Sequence, residues 1–181
     1  MVVATAEIRL PDWLAATPLP PAPASDEACM SFAIRAAGEN VARRTGGPFG
    51  CVIRHDATGE VIGVGVNVVL ASGNAVLHAE TVAISLAGPR VWEGATVFAS
   101  CEPCIMCLGA SHWARVTRVV SAASKFDAEA VGFLEGAGTD QLRAEMEARG
   151  VVFQSGFMRD EAVAILREYD IRGLPIYGPK V

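Results

Sequence analysis

Between residues 26 and 45 apolar side chains return at helical spacing. Ala28, Phe32, Ala33, Ala36, Ala37 and Val41 fall on one face. Ser25 is placed to cap this run, with Asp26 and Glu27 in its first turn, and Gly46-Gly47-Pro48 ends it. The pattern then changes to β-rich runs, Phe49 to His55 and Val61 to Val69, separated by Asp56-Ala57-Thr58-Gly59, which predicts a hairpin. A helix is expected over Leu77 to Leu86, closed by Gly88-Pro89, and a short buried strand over Ala95 to Ala99. Pro103 opens a further helix through Trp113, because a proline at the first helical position removes only an N–H with no partner. Val116 to Ser121 and Val151 to Gln154 read as strands, Leu142 to Arg149 and Asp160 to Tyr169 as helices. Glycines at 132, 136 and 138 mark the loop between the first strand and helix of that group. The alternation of strands and helices after the hairpin predicts a three-layer α/β/α domain on a single sheet of about five strands.

The ends of the chain differ from this pattern. Residues 1 to 25 contain Leu19-Pro20-Pro21-Ala22-Pro23, and prolines at that density predict an extended arm laid over the surface. The catalytic domain is expected over residues 26 to 169. Residues 170 to 181, with Gly173, Pro175, Gly178 and Pro179, form a C-terminal arm.

Composition narrows the function. At 181 residues, 51% of them apolar, the chain is long enough for one domain with a substantial core. Its net charge of −5, with Arg43-Arg44 as the only adjacent basic pair, argues against a broad nucleic-acid surface. No run approaches the ~20 apolar residues a membrane helix needs. The first residues lack the basic start and apolar run of a secretory signal. Five cysteines, three of them at 101, 104 and 107, suit metal binding better than a disulfide framework. The expected compartment is the cytoplasm.

The candidate chemistry lies in His78-Ala79-Glu80 and Pro103-Cys104-Ile105-Met106-Cys107. Cys104 and Cys107 are three apart at a helix start, so they share one face where the helix dipole favours thiolates. With His78 they make three ligands for Zn²⁺ and leave a fourth position for water, the arrangement of catalytic rather than structural zinc. Glu80 is placed to move a proton between that water and a substrate. The order H-x-E…P-C-x-x-C is the general signature of zinc deaminases, with the glutamate as acid and base. Taken alone, Cys104 and Cys107 would equally suit a structural zinc knuckle or a redox pair. Cys101 also stands three residues from Cys104, but it precedes Pro103 and is expected off the helix, as a non-ligand.

From about residue 26 to the tail, the chain resembles the bacterial-type guanine deaminases of the cytidine deaminase superfamily. The likeness rests on Gly46-Gly47-Pro48-Phe49, Asn67, His78-Ala79-Glu80, the run from Ser100 to Ala110, Glu129 to Gly136, and Leu166 to Tyr169. The zinc segments mark the superfamily. The stretch from Phe133 to Gly136 and the C-terminal arm point to guanine deaminase. The resemblance implies a cytidine deaminase-like mixed sheet with helices on both faces and hydrolysis of guanine to xanthine and ammonia, a step of purine metabolism. In that chemistry a zinc-bound hydroxide adds to the amino-bearing carbon, with Glu80 as proton shuttle and Glu135 as a second acid near the amino group. Asn67 would hydrogen-bond the base. Phe49, Phe133 and Trp113 would pack on it, and Tyr177 would close over it from the arm. His55 and His112 carry no assigned role. The resemblance further implies a homodimer that acts on a small nucleobase and exchanges C-terminal arms. Leu134, Cys101 and the last residues, Gly178 to Val181, depart from the pattern and bear on substrate choice. Other amino-substituted substrates share the zinc segments: cytosine, adenosine (including that of tRNA), and pterin or triazine amines. A zinc or ligand-binding module without catalysis is the alternative of another class.

Overall fold

The computed structural model describes residues 7–178. Its centre is a five-stranded sheet of β1 (Gly50–His55), β2 (Val61–Val66), β3 (Ala95–Cys101), β4 (Arg118–Ala123) and β5 (Val152–Gln154), in the order β2-β1-β3-β4-β5. β1 runs antiparallel to both β2 and β3, whereas β3, β4 and β5 are mutually parallel. The sheet is therefore mixed. Helices α2 (Asp26–Ala42) and α8 (Arg159–Ile171) cover one face, and α4 (Ala79–Ala87), α5 (Ile105–Trp113) and α7 (Thr139–Ala148) cover the other.

Period-two alternation divides the core between the two faces. Val52, Phe98 and Val120 join the cluster under α2 and α8, while their neighbours Cys51, Ile53, Val97, Ala99 and Val119 join the one under α4, α5 and α7. Gly63 and Gly65 let α4 lie close to β2: an added Cβ would fall 2.4 Å from the Ala83 carbonyl oxygen and 2.2 Å from that of Ala79. That close approach sets the depth at which α4 carries Glu80.

The hairpin turns where expected, with Gly59 at φ +67° and the His55 N–H donating to the Glu60 carbonyl at 2.8 Å. Other boundaries differ. β2 stops at Val66, because Asn67 Oδ1 accepts from the Val69 N–H at 3.2 Å and turns the chain into a one-turn helix, α3 (Val69–Ser72). Helix α6 (Lys125–Ala130) has no periodicity to announce it, being too short to show any. Its signal is the capping box of Ser124 and Asp127.

The N-terminal arm is not extended throughout. Asp12–Ala15 forms a one-turn helix, α1, begun behind Pro11, with Leu14 buried in the core and Trp13 Nε1–H donating to Thr45 Oγ1 at 3.1 Å. Proline is compatible with a helix start, so proline density alone excludes too much. Residues 1–6 of that arm and 179–181 of the C-terminal arm lie outside the described residues. Among the described residues no helix is long and apolar enough to cross a membrane.

Candidate active site

The candidate site lies beyond the carboxyl ends of the parallel strands, where open α/β sheets place their ligands. β3 ends at Cys101, and three residues later Cys104 is the N-cap of α5; His78 is the N-cap of α4. Both N-cap residues have extended backbone and neither side chain caps its own helix, which leaves the thiol and the imidazole for another partner. Cys107, one turn into α5, completes a group whose ligand atoms all lie within 4.8 Å of one another. A tetrahedral zinc with sulfur at ~2.3 Å and nitrogen at ~2.0 Å separates those two atoms by about 3.5 Å. Cys104 Sγ lies 3.6 Å from His78 Nδ1. The donor set fits zinc.

The charges support that fit. The hydrogen bond from Cys107 holds the Cys104 thiol down to about 4 against the opposing effect of burial, and His78 assists. The same bond, together with burial, pushes Cys107 well above the usual thiol range. Burial works against a charged His78, but its bond to Cys104 and the nearby Glu80 raise it. Cys101 is also buried, pushed up by burial, and stands outside the ligand group. Its thiol faces the Ser124 carbonyl at 3.5 Å.

Glu80 and Glu135 converge on this group. Glu80 is the second residue of α4, buried, and raised first by burial and then by the Cys104 thiolate. Glu135 comes from the loop after α6 and is likewise buried. Burial first, then Cys104 and Glu80, push it up to about 8. That loop is tied to the metal helix by the Ile105 N–H, which donates to the Glu135 carbonyl at 3.3 Å. Gly136, at φ +82°, packs so closely on Ile105 that an added Cβ would lie 2.9 Å from its Cγ2.

Both acids and His78 and Cys104 line a cavity of about 450 Å³, together with Asn67, Phe49, Phe133 and Tyr177. Phe133 is the hub of the aromatic wall, with ring centroids 4.9 Å from Phe49 and 5.2 Å from Tyr177. The C-terminal arm thus reaches the cavity of its own chain. The Tyr177 hydroxyl is buried without a hydrogen-bond partner there.

Trp113 is the one expected substrate contact that the fold carries elsewhere. It is 83% exposed, at the far end of α5, and lines a separate cleft with Trp92, Arg115 and Arg149 that contains none of the metal-site residues. Six residues beyond Cys107, it has turned to the other side of the helix and lies ~9 Å further along the axis. Val76, Met106 and Leu134 do line the cavity. Val76 and Met106 have no sequence signal, since isolated apolar residues beside a motif look the same in a core and in a pocket; Leu134 is marked only by its departure from the family pattern.

Residues 23–123 match the cytidine and deoxycytidylate deaminase zinc-binding region. The chain belongs to this family. It is a hydrolytic deaminase that uses zinc. The deaminase is 41% identical to the guanine deaminase of Bacillus subtilis over 111 residues, 59% of this chain and 70% of that protein. It also superposes on the guanine deaminase of Nitrosomonas europaea at a TM-score of 0.84 and 32% identity, covering 94% of this chain and 99% of the other. A structure of NE0047 in complex with 2,6-diaminopurine gives a TM-score of 0.84 at 34% identity, over 95% and 96% of the two chains. A tRNA-specific adenosine deaminase of Streptococcus pyogenes is 43% identical over 81 residues, which span 42% of this deaminase and 50% of that protein.

Proposed function

We propose that the deaminase converts guanine and water to xanthine and ammonia. The observation that carries this is Glu135: a second buried carboxylate, on the loop that also supplies Phe133, brought to the same small cavity as Glu80 and the metal ligands. A cavity of about 450 Å³ lies toward the low end of the range for small-molecule sites. The guanine deaminases it resembles support the same substrate. Asn67 has its Oδ1 occupied by the Val69 N–H, which leaves its Nδ2 as a donor toward the base. Guanine suits a donor, since O6 and N7 are adjacent acceptors on one edge.

His78, Cys104 and Cys107 would hold the zinc, which would supply a Lewis acid able to ease the deprotonation of water near neutral pH. Glu80 would take a proton from the attacking water and pass it to a ring nitrogen, then carry the second proton, that of the added hydroxyl, to the amine as the C–N bond breaks. Glu135, held toward its protonated form by burial and by the charges of Cys104 and Glu80, would face the same amino group. Phe49, Phe133 and Tyr177 stack around the base and keep bulk water out.

Two measurements test this. Ammonia release by zinc-quantified protein should be greatest with guanine in a panel of adenine, cytosine, their nucleosides, and amino-pterin and amino-triazine compounds. A different best substrate would keep the zinc chemistry and displace guanine. Glu135→Gln should retain zinc and lose on the order of 10²-fold in turnover. The same variant should be more stable. Glu135 is raised to about 8 in the fold, so its contribution to stability is present below the ordinary carboxylate pKa and disappears as pH rises through about 8. Glutamine does not ionise, and in chelator the variant's thermal midpoint should pull ahead of the parent's as pH rises from the ordinary carboxylate range to about 8 and hold its lead above that, by up to a few kcal/mol in free energy. Unchanged turnover together with parallel midpoints would return Glu135 to the role of an ordinary loop residue.

We further infer a cytoplasmic homodimer. All five cysteines are free thiols, as in a reducing compartment. Trp92, after α4, and Trp113 of α5 are exposed and line one cleft, an apolar patch of the kind that pairs. Sedimentation should show a dimer that Trp113→Asp converts to a monomer. A monomeric parent would remove the dimer.

A further inference from the structure

One buried polar residue of α2 is left over by the zinc chemistry. Asn40 is fully buried, one helical turn beyond Ala36 on a face otherwise occupied by small and apolar side chains. Its Nδ2 donates to two main-chain carbonyls, those of Gly47 and Asn67, each at 2.9 Å. Its Oδ1 accepts from the Thr45 hydroxyl at 2.7 Å, and that oxygen in turn accepts from Trp13 Nε1–H at 3.1 Å. Only the NH₂ end of an amide can face two carbonyls, so the orientation of Asn40 follows from its partners.

The bonds form a bracket between two segments that are distant in sequence. Gly47 N–H donates to the Asn67 carbonyl at 3.3 Å, in parallel with the Asn40 bond to the same oxygen. Gly46 has no room for a side chain: an added Cβ would lie 1.9 Å from the Asn67 carbonyl oxygen and 2.7 Å from Asn40 Nδ2. The main chain of Asn67 is therefore held from both sides, while its side-chain Nδ2 is left to the cavity.

We propose that Asn40 is a positioning residue for base recognition: by fixing the main chain of Asn67 against the Gly46-Gly47 turn, it sets the direction of the Asn67 amide donor. This rests on the reading of Asn67 as a base contact. Removing the Asn40 amide strands neither carbonyl, since the Gly47 oxygen also accepts from the Phe49 N–H at 2.9 Å and the Asn67 oxygen keeps the Gly47 N–H. The segments stay folded and lose their mutual orientation.

A double-mutant cycle on zinc-loaded protein tests this, using guanine or whichever amine of the panel turns over fastest. Asn67→Ala should lower kcat/KM about 100-fold, mostly through KM, and Asn40→Ala about tenfold with the same emphasis on KM and unchanged zinc content. The double variant should be no worse than Asn67→Ala within about twofold, because Asn40 acts through a side chain already absent. Thr45→Val keeps the shape, removes the hydroxyl that orients Asn40, and should raise KM about threefold. Multiplying losses in the double variant would overturn the positioning role, as would a fall in kcat for Asn40→Ala at parental KM. Should Asn40→Ala fail to fold, a parental KM for Thr45→Val would overturn it instead. A parental KM for Asn67→Ala itself would show that the base-contact reading has failed, and the proposal with it.

Discussion

Glu80→Gln should lose on the order of 10³- to 10⁴-fold in ammonia release while keeping one zinc per chain. The two side chains are close to isosteric, so the difference isolates the proton. Glu80 is the second residue of α4, buried, and pressed against Cys107 of the metal group. Burial and the Cys104 thiolate raise its affinity for a proton, which suits a group that must both take one from water and return it to the substrate. Glutamine at this position can hydrogen-bond but cannot carry the proton across. Measured zinc and the circular dichroism of the variant should match the parent. Turnover within tenfold of the parent would remove Glu80 as the shuttle and turn attention to Glu135.

Cys107→Ser separates the metal from the proton carrier. Cys107 is fully buried in α5, grouped with Cys104 and His78 within 4.8 Å. Serine keeps the volume nearly constant but replaces a soft thiolate with a hydroxyl that does not ionise near neutral pH. Zinc content after dialysis against a mild chelator should fall to about a tenth of the parent's or less, with turnover falling in proportion. The thermal midpoint should fall too, since a ligand bound only to the folded chain stabilises it by mass action. Cys101→Ser is the matched control: its sulfur stands outside the ligand group and its loss should leave the metal in place. Full zinc in Cys107→Ser, or loss of zinc in the Cys101 control, would overturn His78, Cys104 and Cys107 as the ligand set. Glu80→Gln keeps the metal and loses chemistry, Cys107→Ser loses both, and the contrast assigns each residue its share.

The zinc segments were legible because each is local. His78 and Cys104 are N-cap residues, and a helix start converts a spacing of two or three residues into a direction. The hairpin was legible from the Asp56 to Gly59 turn between two β-rich runs, and the layers from short apolar runs alternating with helices, since β1, β3 and β4 are buried almost throughout. Helix α6 was not, because six residues are too few to show a period, and its capping box was the only mark it left. Trp113 shows the opposite failure. An aromatic a short way past a metal motif looks like a pocket wall, but the turn of α5 carries it to an exposed cleft.

By itself, the sequence determined the layer architecture, the metal group and the carboxylate two residues beyond its histidine, because periodicity and helix-start geometry act over a few residues. Only the tertiary structure decided which side chains share the cavity. Asn67 follows β2, Phe49 precedes β1, Phe133 and Glu135 follow α6, and Tyr177 comes from the last described turn of chain. Their meeting depends on strand register, on Gly63 and Gly65 letting α4 lie close, and on the Asn40 bracket between two distant loops. Those are contacts between segments remote in sequence, whose distances follow from packing the whole core rather than from any local pattern.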